Sequence, residues 1–195
     1  MKLPRRHYLK LANVSGQLFS TLNRRSQVPL GPRKLVPFCG PLSPGYQLPS
    51  DIVEEREQDG YTAFDALKLA LADQLVNSCS FSRDSSASLA DRSYNLKCAL
   101  DLEKAGKQAW LATFDLVGFE GNILKTPENR EFYLPHETEI GELDYVLDSI
   151  KEYSKQLKTE AKSVTLVNLS ALIQEVRNRA TEIGLDIDLM DGAPQ

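Results

Sequence analysis

Six prolines (Pro29, Pro32, Pro37, Pro41, Pro44, Pro49) and three glycines (Gly31, Gly40, Gly45) crowd residues 28–50. A proline fixes φ, lacks an N–H to donate and clashes with the preceding helical turn. No helix can run through this stretch, so helices must end before it and start again after it. Within it, residues 35–36 and 46–48 are suited to short edge strands, the two sides of a long β-wing.

Upstream, two short apolar faces repeat at helical spacing. Tyr8, Leu11, Ala12 and Val14 form one, and Leu18, Phe19 and Leu22 the other. Between them Ser15 and Gly16 suit a tight helix-to-helix turn, with Gly16 supplying the φ > 0 conformation. Pro29 is expected to stop the second helix.

Downstream, Thr62 with Asp65 three residues on signals a helix start, and Phe64, Leu67, Leu71 and Leu75 continue it. Further helices are expected over 82–90 and 92–105, the latter closed by Gly106. The texture then changes, which places a domain boundary near Lys107. Residues 109–114, 131–134 and 163–167 read as strands. A helix over 139–157 has Ile140, Leu143, Leu147, Ile150 and Leu157 on one face, with acids early and lysines late. Ser170 is expected to cap a last helix, striped by Leu172, Ile173, Val176, Ala180 and Ile183 and ended by Gly184, with 190–195 frayed.

Charge is segregated along this order. Lys2, Arg5, Arg6, Lys10, Arg24, Arg25, Arg33 and Lys34 precede the first acid, Asp51, while the remainder holds 15 basic and 27 acidic residues. The net charge of −4 hides a cationic end suited to a polyanion and an acidic end suited to solvation or a partner. A solvated basic tail is the plain alternative, but the tail would not need the apolar periodicity of residues 8–22. With 42% apolar and 26% charged residues, the chain has globular composition. No apolar run reaches the ~18–20 residues of a membrane span, and no apolar segment follows Arg6 as in a secretory signal. Cys39, Cys79 and Cys98 are widely spaced and read as small apolar residues in a reducing cytoplasm. No nucleophile elbow, P-loop or zinc-protease motif is present, so no enzymatic activity, cofactor or metal is expected. His136, Glu137 and Glu139 read as residues at a helix start rather than as a metal cluster, and Trp110 with Phe114 as one face of a core strand.

Two blocks carry a resemblance. Ala12-Asn13-Val14-Ser15-Gly16 is followed by Thr21-Leu22, and later by Gly60-Tyr61-Thr62-Ala63-Phe64 and Leu67. In content and order this resembles the MerR-type winged helix-turn-helix family, in a divergent, phage-like form, over residues 8–90. Ala12, Gly16, Thr21 and Leu22 match the first block; Gly60, Tyr61 and Phe64 match the second. Arg24 and Arg25 stand where the family has a tyrosine pair, and Thr62 where it has an arginine. The dimerising coiled coil that usually follows is not evident, so no inducer or metal role carries over.

The expected fold is therefore α+β: a winged helix-turn-helix DNA-binding domain over residues 1–106 and a small mixed α/β domain over 107–195 for partner binding or dimerisation. The expected function is sequence-specific binding of double-stranded DNA, as a prophage-type transcriptional repressor acting as a homodimer without a membrane partner. On the second helix Gln17, Ser20, Thr21, Asn23, Arg24 and Arg25 oppose Leu18 and Leu22, and such side chains read base edges in the major groove. Arg5, Arg6, Lys10, Arg33 and Lys34 would neutralise phosphates. An excisionase-like protein that bends DNA, or a phage assembly or protein-interaction adaptor, are the competing functions.

Overall fold

The computed structural model describes residues 1–30, 36–37, 58–126 and 129–193, a mixed α+β chain with small antiparallel sheets. Helix α1 spans Arg5–Ala12 and α2 spans Gly16–Arg24. The turn between them is made by Asn13, not by Gly16. Asn13 takes the left-handed conformation (φ 58°, ψ 37°), and the N–H groups of Asn13 and Val14 return to the carbonyls of Lys10 and Leu9 at 3.2 and 3.0 Å. That pair of bonds is a Schellman closure, sealed by the buried side chains of Leu9 and Val14. Asparagine tolerates this backbone better than other non-glycine residues. Gly16 is instead the first helical residue, and Ser15 caps α2 by accepting the Leu18 N–H at 3.1 Å. The second helix ends the same way at Ser26 (φ 51°), before Pro29 is reached.

Helix α3, Ala63–Cys79, forms the centre of the molecule and is buried on nearly all sides as far as Ala72. Its capping box is complete: Asp65 N–H donates to Thr62 Oγ1 at 3.0 Å, and Thr62 N–H to Asp65 Oδ2 at 2.9 Å. The one lysine on this buried stretch, Lys68, meets Asp91 at 2.6 Å. Helices α4 (Arg83–Ala90) and α5 (Ser93–Lys104) follow, and Gly106, with φ 74°, ends the second.

The remaining strands are β2 (Trp110–Leu116), β3 (Asn122–Lys125), β4 (Glu131–Leu134), β5 (Glu137–Gly141) and β6 (Ala161–Asn168). One antiparallel sheet has the order β5-β2-β6. The expected helix over 139–157 is shorter: Glu139 and Ile140 lie in β5, opposite Ala112 and Leu111, and helix α6 runs only over Leu143–Gln156. Of the early acids that suggested a helix N-terminus, Glu139 lies in the edge strand, whereas Glu142 stands at the N-cap of α6. A second sheet, β1-β3-β4, takes in β1 (Val36–Pro37), whose partner is β3. The other side of the expected wing, 46–48, lies outside the described residues.

The last helix, α7 (Leu169–Glu182), is capped by Asn168 rather than Ser170, whose hydroxyl accepts the Ala109 N–H at 2.9 Å. It packs against α1, α3 and α5. One continuous apolar core accordingly runs from Leu3 to Leu189, across the boundary expected near Lys107. A smaller core under α6 joins Ala112, Phe114 and Leu116 to Val146 and Ile150, with Trp110 packed at its edge. The end of the chain is packed rather than frayed as far as Ala193: Phe64 N–H donates to Asp191 O at 3.3 Å, and Gly192 lies against Thr62. Among the described residues no helix is long and apolar enough to cross a membrane.

Candidate nucleic-acid interface

Three aromatic rings hold the first two helices to the rest of the chain. Tyr8 stacks on Tyr61 at 4.0 Å between ring centroids with 4° between planes, and Phe19 meets both edge-on at 5.7 and 6.2 Å. All three are fully buried. Tyr61 is held in turn by a two-way backbone bridge to Leu3, at 2.6 and 2.9 Å. Gly60 makes that bridge feasible. It sits at φ 84°, and a Cβ there would stand 3.2 Å from the Leu3 carbonyl oxygen. The two sequence blocks thus meet in space around one aromatic cluster.

With Phe19 and Leu22 turned into this core, α2 presents Gln17, Ser20 and Arg24 to solvent on one face, with Arg25 exposed beyond its end. Leu18, expected on the buried face, is half-buried. Thr21 and Asn23 are half-buried too, and the Asn23 Oδ1 is enclosed without a hydrogen-bond partner among the described residues. The Ser20 and Thr21 hydroxyls donate to the carbonyls of Gly16 and Gln17 at 2.9 and 3.1 Å, so each oxygen can act only as an acceptor towards other groups.

Arg5 connects the helices. Its guanidinium lies 4.9 Å above the Phe19 ring, and its Nη2 donates to Ser20 Oγ at 3.2 Å. The structure therefore brings Arg5 beside Ser20 on the α2 face. Sequence spacing had no means of pairing residues so far apart. Arg6 and Lys10, one turn apart on α1, are exposed, and among the described residues neither they nor Arg24 and Arg25 have an ion-pair partner. Arg33 and Lys34 lie outside the described residues. Behind the helices, Gln27 is buried and its Nε2 donates to Asp84 Oδ2 at 3.2 Å, tying the segment after α2 to α4.

A second polar cluster, which sequence reasoning missed, forms around Asp115 of β2. Asp115, at the β-bulge of β2, is 5% exposed. Its Oδ1 accepts the N–H groups of Gly121 and His136, both at 2.9 Å; its Oδ2 accepts the Tyr133 hydroxyl and, at 3.3 Å, that of Ser163. Burial alone would push the carboxylate up, but these donors outweigh it and hold Asp115 below the usual carboxylate range. Burial, reinforced by the neighbouring Asp115, pushes the Tyr133 phenol up to about 12. An ionised acid with its lone pairs filled by four donors is a structural brace rather than a proton acceptor. His136 completes the corner with Nε2 at 3.2 Å from Glu137. Among the described residues no group of three or more His, Cys, Asp or Glu side chains could hold a metal ion. No family model matches the chain, and no curated protein does either.

Proposed function

We propose that this chain binds double-stranded DNA in a sequence-specific way through α2 and acts as a transcriptional regulator of repressor type. The observation that carries the reading is the exposed row of Gln17, Ser20 and Arg24, at the acid-free end of the chain, with Arg5 seated against it. A helix of this length fits the major groove, where arginine pairs with guanine and glutamine with adenine. Arg6 and Lys10 of α1 would then lie over the phosphates, in the way the first helix of a helix-turn-helix crosses the backbone. The bridge between Leu3 and Tyr61 and the cluster of Tyr8, Phe19 and Tyr61 support a winged helix-turn-helix reading of residues 1–79. They do so because they explain why both resemblance blocks are needed together.

Selection of bound fragments from random duplex DNA at two ionic strengths tests the proposal. A common sequence should emerge at the higher salt, with looser binding to any duplex at the lower. With about six phosphate contacts, affinity should fall ~10³-fold between 50 and 200 mM salt. A protein that ignores duplexes even in dilute buffer overturns it.

A further inference from the structure

The sheet β5-β2-β6 has two edges, and they differ. The β5 edge carries Glu137 and Glu139, so pairing two copies there would oppose carboxylates. Edge strands are commonly protected by such charges. Strand β6 carries no ionisable residue between Ser163 and Asn168. Its apolar side chains are also left uncovered. Helix α6 covers Ala112 and Phe114 of β2, yet Leu166 and Val164, directly opposite them on β6, are 37% and 43% exposed.

The backbone of β6 sets which groups face outward. Leu169 N–H donates back to Ala109 O at 2.9 Å, so in an alternating antiparallel ladder Val167, Thr165 and Ser163 also bond inward to β2. Val164, Leu166 and Asn168 then aim their N–H and C=O groups at the free edge. The open run is bounded by the irregularity next to Asp115 at one end, beside Lys162, and by the start of α7 at the other.

We propose that this edge pairs antiparallel with the same edge of a second copy of the chain, about a two-fold axis through Thr165. That register places Val164 opposite Leu166 of the second copy and the reverse, forming about four backbone hydrogen bonds. Four aliphatic side chains meet on the α6 side of a continuous six-stranded sheet. A two-fold one residue further on would set Val164 against Asn168, matching apolar with polar. In the Thr165 register Lys162 faces Asn168, so no like charges are opposed. The paired run is about 20 Å long and involves far fewer than the roughly 20–30 residues a side of a standard interface. The dimer is therefore weak, with a dissociation constant in the micromolar range.

Sedimentation velocity on the full chain without DNA, over about 5–200 μM, tests this. The sedimentation coefficient should rise from monomer to dimer with concentration. The paired substitution Val164→Lys and Leu166→Lys should abolish the rise while leaving the far-ultraviolet circular dichroism unchanged. Under mild oxidation Thr165→Cys should give a covalent dimer joined at residue 165, identified by peptide mass, and Lys162→Cys should not. A monomer throughout the range overturns the proposal. So does a dimer indifferent to the lysine pair, or equal linkage by Lys162→Cys. Protection of the β6 amides only in the presence of another protein overturns it as well, because the edge then serves a different partner. No DNA enters the measurement, so its failure leaves the reading of α2 untouched.

Discussion

The cations of the two ends of this molecule have different company. After residue 106, Lys107, Lys125, Arg130, Lys151, Lys162, Arg177 and Arg179 each have a carboxylate within 4.0 Å. Before residue 31, Arg6, Lys10, Arg24 and Arg25 are exposed and have none among the described residues. Pairing neutralises a cation locally. A cluster without acids keeps its field, which reaches about one Debye length, ~8 Å at physiological salt. Seven of the nine lysines and arginines after residue 106 thus sit beside a carboxylate, whereas Arg6, Lys10, Arg24 and Arg25 have none among the described residues. The net charge of −4 is uninformative here because it averages two regions with opposite charge.

The sharpest way to break the comparison is to remove what shapes the cationic end. Phe19→Ala empties the centre of the aromatic cluster and takes away the seat of Arg5. It should cost about 3–5 kcal/mol in urea unfolding. Because one core runs from Leu3 to Leu189, the whole transition should shift as a unit. A cost confined to the N-terminal residues, with the remainder melting as before, would show that the two ends fold independently.

The corresponding test at the acidic end is Asp115→Asn, which exchanges a charged acceptor for an amide facing several donors. The expected cost is about 2–3 kcal/mol, with DNA affinity unchanged. Its pH signature has a definite sign. The folded carboxyl lies below its unfolded value, so its stabilisation is full above the usual carboxylate range and is lost as pH falls through the folded value. The phenol of Tyr133 behaves oppositely. Raised to about 12, it contributes fully below its ordinary value near 10, and that contribution disappears as pH rises from 10 towards 12. Urea midpoints measured across both windows should therefore decline at each extreme, and Tyr133→Phe should remove the alkaline decline and, by taking one donor from Asp115, shrink the acid one as well.

These two sites also mark how far the sequence is legible. Local signals read correctly: Thr62 with Asp65 starts α3, Gly106 and Gly184 close helices, and the alternation in 131–134 is β4. Such features rest on residues within a few positions of one another. The turn between α1 and α2 misled because a glycine stood near a site where asparagine also adopts positive φ. The acids of β5 misled because the same residues suit a helix start and an exposed edge strand. Arg5 over Phe19, and Asp115 joined to Gly121, Tyr133, His136 and Ser163, depend on which distant segments pack together. No spacing rule encodes that.

A smaller effect should separate base reading from phosphate contact. Arg24→Ala, on the exposed face of α2, should lose about 1–3 kcal/mol on the selected sequence and little on random duplex. Arg5→Ala should behave alike if its seat on Phe19 and Ser20 aims it at a base edge, and should weaken all sequences equally if it reaches only phosphate. Competition binding at fixed salt distinguishes the patterns. Equal loss for Arg24→Ala on both DNAs would count against groove reading by α2.

The smallest effect bears most directly on the contrast between paired and unpaired cations. Lys10 on α1 and Lys151 on α6 are both exposed helical lysines, but Lys151 lies 2.8 Å from Asp148. If charge alone drew the chain to DNA, either lysine would serve. If unpaired placement matters, Lys10→Ala should lower the slope of log affinity against log salt by about one, whereas Lys151→Ala should leave it unchanged. Neither substitution should move the thermal midpoint appreciably, since exposed ion pairs contribute little. Equal slopes for both variants would erase the distinction between the two ends. A change for Lys151 alone would reverse it and move the polyanion contact to the acidic half.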